Sequence, residues 1–215
     1  MVAARGRRGP HPPELDGEDL IRFGERELFA VADAVGARSV NAVDVFGGPW
    51  DVDGAAEAFA GLCRRAGEHG LLVHLEWLPW SKIPDLATAL QVVERADQWN
   101  GGLTVDAWHA ARSGTDVEEL AAVPGSRILG VQLCDGPLAA EADLPHAALH
   151  HRRLPGEGQF DLAGLVGALR RSGTTAPIGV EVFSDRLHAL PADEAARRAA
   201  RATRQVLEDT GPGAG

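Results

Sequence analysis

The sequence predicts an α/β chain built on a parallel sheet or barrel, and three observations carry the prediction. Short apolar, β-rich runs recur at Leu72–Glu76, Gly102–Asp106, Leu129–Gln132 and Ile178–Glu181. Helical-looking sequence fills the gaps, which is the strand-then-helix rhythm of parallel β/α architecture. Each run also ends on an oxygen-bearing side chain: Glu76, Asp106, Gln132 and Glu181. In a β/α barrel the carboxyl ends of the strands share one mouth, where active sites sit. Three carboxylates and one amide oxygen gathered there would suit Mg²⁺ or Mn²⁺ better than zinc or copper.

The elements follow in order. Residues 1–14 are rich in Gly and Pro, carry Arg5, Arg7 and Arg8, and read as a disordered tail. From Leu15 to Val35 apolar residues recur at helical spacing, and Gly36 is a natural stop. Ser39 to Phe46 reads as a strand broken by Gly47, Gly48 and Pro49, and Val52 to His69 as an amphipathic helix ended by Gly70. A Pro-marked loop follows the Glu76 strand and leads into a helix from about Pro84 to Trp99. Gly101 and Gly102 open the Asp106 strand, and a short helix covers Asp116 to Ala122. After the Gln132 strand a long loop is expected from Asp135 to Gly158. A helix over Leu162–Ser172, the Glu181 strand and a helix over Ala192–Glu208 complete a single domain spanning 15–209, and 210–215 form a second tail. Five strands are visible where a closed barrel needs eight, so the chain reads as the last five β/α units of a barrel.

Composition narrows the function. At 215 residues the chain can bury a real core as one domain. A net charge of −10 argues against a nucleic-acid partner, because backbone phosphates demand a basic surface. No apolar run reaches membrane-spanning length, and the stretch Met1–Arg8 lacks the apolar core of a signal peptide. Cys63 and Cys134 follow no metal or redox spacing, which fits a cytoplasmic chain with reduced thiols. Open edges on a five-stranded sheet favour self-association.

The motifs, taken in order, resemble the xylose-isomerase-like TIM-barrel family of sugar-phosphate isomerases and epimerases, from roughly Leu28 to Leu207. They are Glu76-Trp77-Leu78-Pro79, then Asp106-Ala107-Trp108-His109, Gln132 with Asp135, the Arg152–Gly158 loop, and Val180-Glu181-Val182-Phe183. In that loop the family pattern is Arg-x-x-Pro-Gly-x-Gly, and Arg153 sits one place nearer the Pro. The resemblance implies a Mn²⁺ or Mg²⁺ site at Glu76, Asp106, Gln132 and Glu181. In related epimerases such a glutamate pair both ligates the metal and moves a proton on opposite faces of the substrate. The family's first three strands have no counterpart here.

The residue types support this chemistry. A carboxylate facing a barrel axis needs a metal or a partner, which makes Glu76 and Glu181 ligand and acid/base candidates. His109 stands at a strand exit, where it could contact substrate or act as general base. Arg153 offers a rigid fork of donors for the distal end of the substrate, with Arg152 an adjacent rival. His74, in phase with Glu76, could contact substrate or be a hydrogen-bonded core histidine. Asp135 and Trp108 are further substrate-contact candidates, and packing explains the tryptophan equally well. Gly156 and Gly158 read as turn residues. His146, His150 and His151 match no tight zinc spacing, have no cysteine beside them, and read as a solvated loop.

The leading expectation is a divalent-metal sugar isomerase or epimerase that moves a proton beside a carbonyl on a small polyhydroxylated substrate. A close variant is a dehydratase of a keto-cyclitol or dehydroshikimate-like acid, in which the same enolate expels a β-hydroxyl. The expectation from another class is an inactive partial barrel that binds or dimerises.

Overall fold

The computed structural model describes residues 2–3, 24–45 and 51–211. The expectations placed on the basic tail, on Leu15 to Phe23 and on Gly47 to Pro49 lie outside them. The chain divides into two compact units, residues 1–104 and 105–215.

In the first unit, β1 (Val2–Ala3), β2 (Ser39–Val43), β3 (Leu72–Glu76) and the opening of β4 (Gly101–Asp106) run parallel in chain order. The pairing runs from Ser39 beside Leu72 to Val43 beside Glu76, so the two strands end together. β1 falls inside the stretch expected to be a tail; it pairs Val2 with Ala42 and Ala3 with Val43. Two residues are too short to show a period, so nothing in the sequence marked them as a strand.

The strand-to-strand crossings are helices. α1 (Glu25–Val35) opens where the Glu27 carboxylate accepts the Gly24 N–H and stops at Gly36, whose φ of 64° suits glycine. α2 (Val52–Glu68) and α3 (Leu86–Ala96) begin at Asp51 and Asp85, whose side chains accept from Gly54 and Thr88 N–H groups. Both present stripes of small and branched apolar residues to the interior, Ala56, Phe59, Cys63 and Ala66 from α2 and Ala89, Val92 and Val93 from α3. Gly101 is required where β4 passes α2. A Cβ there would lie 2.9 Å from the Phe59 ring and 3.1 Å from Cys63 Sγ. The buried Asn100 amide locks the same corner by donating to the carbonyls of Cys63 and Leu71.

The second unit starts inside β4 and turns directly into α4 (Ala107–Ser113). α5 (Val117–Ala122), β5 (Ile128–Leu133), α6 (Leu144–His150), α7 (Leu162–Arg171), β6 (Ile178–Val180), α8 (Asp185–His188) and α9 (Ala192–Asp209) follow. β5 and β6 pair in parallel with Gln132 beside Gly179, and the Glu181 N–H extends the ladder to Leu133 O. α7 buries Leu162, Leu165, Val166, Ala168 and Leu169, while Leu120, Val131 and Leu133 fill the same interior.

Two differences from the sequence reading bear on the site. α4 was not expected, because Asp106 ends a strand and caps a helix with no breaker between them. The long loop contains α6, a seven-residue helix that starts on Asp143 with Pro145 in its first turn. Seven residues are too few for a periodic apolar face to declare itself. Among the described residues no helix is long and apolar enough to cross a membrane.

Candidate active site

Each unit carries its own polar cluster at strand ends. In the first, Glu76 ends β3, is buried, and accepts from Asn41 Nδ2 at 2.5 Å. Asn41 Oδ1 accepts from the Thr104 hydroxyl at 3.0 Å, and His74 Nδ1 lies 3.1 Å from that same hydroxyl oxygen. Because the Thr104 proton goes to Asn41, His74 must donate from Nδ1, which leaves its Nε2 as an acceptor. Burial lowers the His74 pKa from its ordinary value, so the ring is neutral near pH 7. Asn41 and Thr104 were not singled out from sequence; both polar side chains stand in otherwise apolar strands, which is the signal that could have found them.

The second unit gathers Asp106, His109, Gln132, Arg152 and Glu181. Asp106 is fully buried at the β4–α4 junction. Its Oδ1 accepts the N–H groups of Trp108 and His109, and its Oδ2 accepts Arg152 Nη1 at 2.9 Å. His109, one helical turn on, brings a ring nitrogen within 4.8 Å of an Asp106 carboxylate oxygen. Burial, assisted by Arg152 and opposed by Asp106, lowers the His109 pKa to about 4. The ring is therefore a neutral base near pH 7. Glu181 lies just beyond β6, where its Oε1 accepts Gln132 Nε2 at 3.0 Å and its Oε2 accepts Arg152 Nη1 at 3.3 Å. Burial, and the charge of Asp106 behind it, raise the Glu181 pKa against the pull of Arg152.

Arg152 is the hub. It is buried, donates from Nε to Ala148 O, reaches both carboxylates, and brings Nη2 to 3.4 Å from His109 Nε2. Burial opposes its charge, and the Asp106 and Glu181 carboxylates more than offset that, so its pKa is raised. Arg153, which the sequence reading assigned to substrate, is exposed and its guanidinium donates to Glu157 O. Asp135, a further substrate-contact candidate, is engaged by its own loop. It is buried, and its carboxylate accepts the N–H groups of Gly136, Gly156 and Phe160. Its backbone exchanges two hydrogen bonds with Arg153. The Gly-rich loop thus wraps Asp135, and a Cβ on Gly158 would stand 2.1 Å from Asp135 Oδ1. Trp108 is also wholly buried, packed edge-on against Phe160 under the Arg112 guanidinium.

The donor set fits a hard divalent ion. Gln132 Oε1 is buried and has no hydrogen-bond partner among the described residues. Such an orphaned oxygen costs about 1–3 kcal/mol unless something accepts its lone pairs. It sits on the amide whose nitrogen is bonded to Glu181, and Glu181 shares Arg152 with Asp106. Two carboxylates and a spare amide oxygen are ligand types for a divalent cation.

These features define an α/β barrel protein whose strand ends carry a buried carboxylate, histidine and arginine cluster. The chain belongs to the xylose isomerase-like TIM barrel family, whose model matches residues 9–206. It is 38% identical over 131 residues to a 3-dehydroshikimate dehydratase of Pseudomonas aeruginosa, covering 60% of this chain and 20% of the relative. It is 27% identical over 143 residues to an inosose isomerase of Bacillus subtilis, covering 65% and 50%. The chain thus spans a fifth to about half of these relatives' lengths. A solved IOLI protein with a bound zinc atom superposes with a TM-score of 0.79 at 22% identity, covering 94% of this chain and 74% of that one. An L-ribulose 3-epimerase does so at 0.64 and 20%, covering 86% and 66%. Both share the fold.

Proposed function

We propose that this chain carries the active site of a divalent-metal enzyme that removes a proton beside a carbonyl on a small cyclic polyhydroxylated substrate, and that loss of water follows. The observation that carries the metal reading is Gln132 Oε1, buried and without a hydrogen-bond partner among the described residues, on the amide whose Nε2 donates to Glu181. Asp106, Gln132 and Glu181 would hold Mg²⁺ or Mn²⁺, with Glu76 as fourth ligand on the strength of its place at the end of β3. When bound, the ion supplies positive charge that polarises the substrate carbonyl.

The protein's own groups account for the rest. Neutral His109 takes the proton from carbon, and the electron pair left behind becomes an enolate. That pair then forms the new double bond as the β-hydroxyl departs, leaving as water with the proton His109 carries. Arg152 bridges Asp106 and Glu181 and holds them aligned, and its guanidinium lies beside His109 where a substrate oxygen would gather charge. The 38% identity to a 3-dehydroshikimate dehydratase favours elimination. Isomerisation or epimerisation of a keto-sugar is the second reading. The inosose isomerases among the relatives favour it, and in that reading Glu76 and Glu181 would be the acid/base candidates. A cytoplasmic setting belongs to the same proposal, with Cys63 and Cys134 free and buried.

Calorimetric Mn²⁺ titration of chelator-stripped protein tests the site: one tight equivalent is expected, and Glu181→Gln should lose it. Incubation with dehydroshikimate then separates the chemistries. A conjugated ultraviolet chromophore marks loss of water, whereas an isomer of unchanged mass from an inosose supports the second reading. A folded protein that binds no Mn²⁺ refutes both.

A further inference from the structure

We propose a second metal site in the second unit, for a borderline transition ion such as Zn²⁺, formed by His146, His150 and His151. The three imidazoles cluster on and just after α6. The His146 and His150 rings lie one turn apart and stack with centroids at 4.5 Å, and His151 meets His146 edge-on at 5.0 Å. What lifts this above a chance cluster is the partner behind two of the rings. His150 Nδ1 lies 2.9 Å from Asp185 Oδ1, and His151 Nδ1 lies 2.6 Å from Glu141 Oε2. A carboxylate on Nδ1 fixes the proton there and turns the Nε2 lone pair outward. That is the arrangement that orients and strengthens metal-bound imidazoles.

The surroundings permit an ion to enter. His150, His151, Glu141 and Asp185 line an open cleft of about 640 Å³. Stacked rings direct their lone pairs side by side, so binding requires the partly exposed His146 to turn to another rotamer and exchange its present contacts for the ion. Histidines four residues apart on one helix, with a third at its end, give the nitrogen-rich set that selects Zn²⁺, Ni²⁺ or Cu²⁺. The oxygen-rich cluster around Asp106 has the opposite preference. An ion held by α6, with Asp185 on α8 supporting it from outside, would fasten two segments of the cleft rim to each other.

The difference in ion preference supplies the test. Chelator-stripped Glu181→Gln protein, in excess Mg²⁺, is titrated with Zn²⁺ by calorimetry. One equivalent of Zn²⁺ is expected. In that background His146→Ala/His150→Ala should abolish it, and Asp185→Asn should weaken it roughly tenfold or more. Cu²⁺ bound at the same place should show nitrogen hyperfine structure in its electron paramagnetic resonance spectrum, lost with the two histidines. All three residues are at least partly exposed, so unchanged far-ultraviolet circular dichroism of the variants shows that the fold persists. The absence of a Zn²⁺ equivalent in Glu181→Gln, or its survival in the double histidine variant, overturns the assignment. Neither result bears on the Mn²⁺ site, which is read separately in the parent protein.

Discussion

Replacing Asp135 separates a loop clasp from a substrate contact. Its buried carboxylate accepts the N–H groups of Gly136 and Phe160 on Oδ1 and of Gly156 on Oδ2. A hydrogen bond to a charged group contributes about 1.5–3 kcal/mol, and a buried donor stranded without its acceptor costs a similar amount. Gly156 is exposed, so water can replace its acceptor; Gly136 is buried and Phe160 half-buried. Asp135→Ala should therefore destabilise the protein by about 3–5 kcal/mol, counting two bonds rather than three. Asp135→Asn can keep Oδ1 and its two donors while setting an N–H against the Gly156 N–H, for about 1–2 kcal/mol. Gly158→Ala, whose new Cβ would collide with Oδ1, should resemble Asp135→Ala. Urea unfolding at pH 7 reads all three as shifts in midpoint at constant slope. If both Asp135 variants stay within about 0.5 kcal/mol of the parent protein while substrate affinity falls, the clasp reasoning is wrong.

Other substitutions address the remaining interactions. Arg152→Met leaves Asp106 buried without its cation and should cost about 3–5 kcal/mol. Mn²⁺ should raise the melting temperature of that variant more than that of the parent, which differential scanning fluorimetry would show. In chelator-treated protein, the neutral His109 contributes stability that is complete above its unfolded pKa of 6.5 and is lost as pH falls toward about 4. The loss over that window is about 3 kcal/mol, from some 2.5 pKa units at 1.36 kcal/mol each. Glu181, whose pKa is raised, acts in the opposite sense, so the test is the difference in urea midpoint between the parent and His109→Gln from pH 7 to 4. Equal slopes in the two proteins would sink it. Gly101→Ala should cost about 1–3 kcal/mol through its collision with Phe59, and Phe59→Leu should relieve part of that.

The sequence marked what repeats and left unmarked what happens once. β3, β5 and β6 declared themselves because runs of Val, Ile and Leu mark parallel strands, although of the three only β3 and β5 are largely buried and β6 is exposed. Their carboxyl ends then located Glu76, Gln132 and Glu181 without any coordinates. Asp106 was legible as a strand end, yet its role as the cap of α4 was not, since one side chain serves both and no Gly or Pro separates them. α6 escaped because seven residues hold only two turns. Its histidines looked like a solvated loop for the same reason: without the helix, nothing placed His146 over His150. Asn41 and Thr104 are long-range partners of Glu76 and His74, and a linear pattern carries no such pairing.

The choice between Arg152 and Arg153 turns on parity. Asp135 and Arg153 form an antiparallel bridge, so the backbone there is extended and alternate side chains face opposite ways. Burial across His151, Arg152, Arg153 and Leu154 alternates exposed, buried, exposed, buried. Leu154 is the residue that sets the phase, because an apolar side chain ahead of a Pro-Gly turn belongs inside and Arg152 shares its face. Shifting that phase by one residue would bury Arg153 and put Arg152 in solvent, leaving Asp106 and Glu181 with no cation between them. The same parity sends His151 outward with Arg153, toward Glu141 and the cleft that His150 also lines. One extended stretch of four residues therefore turns Arg152 toward Asp106 and Glu181 and His151 toward Glu141. An insertion of a single residue between Arg153 and Leu154 should weaken Mn²⁺ and Zn²⁺ binding together, whereas point changes at either site should leave the other intact.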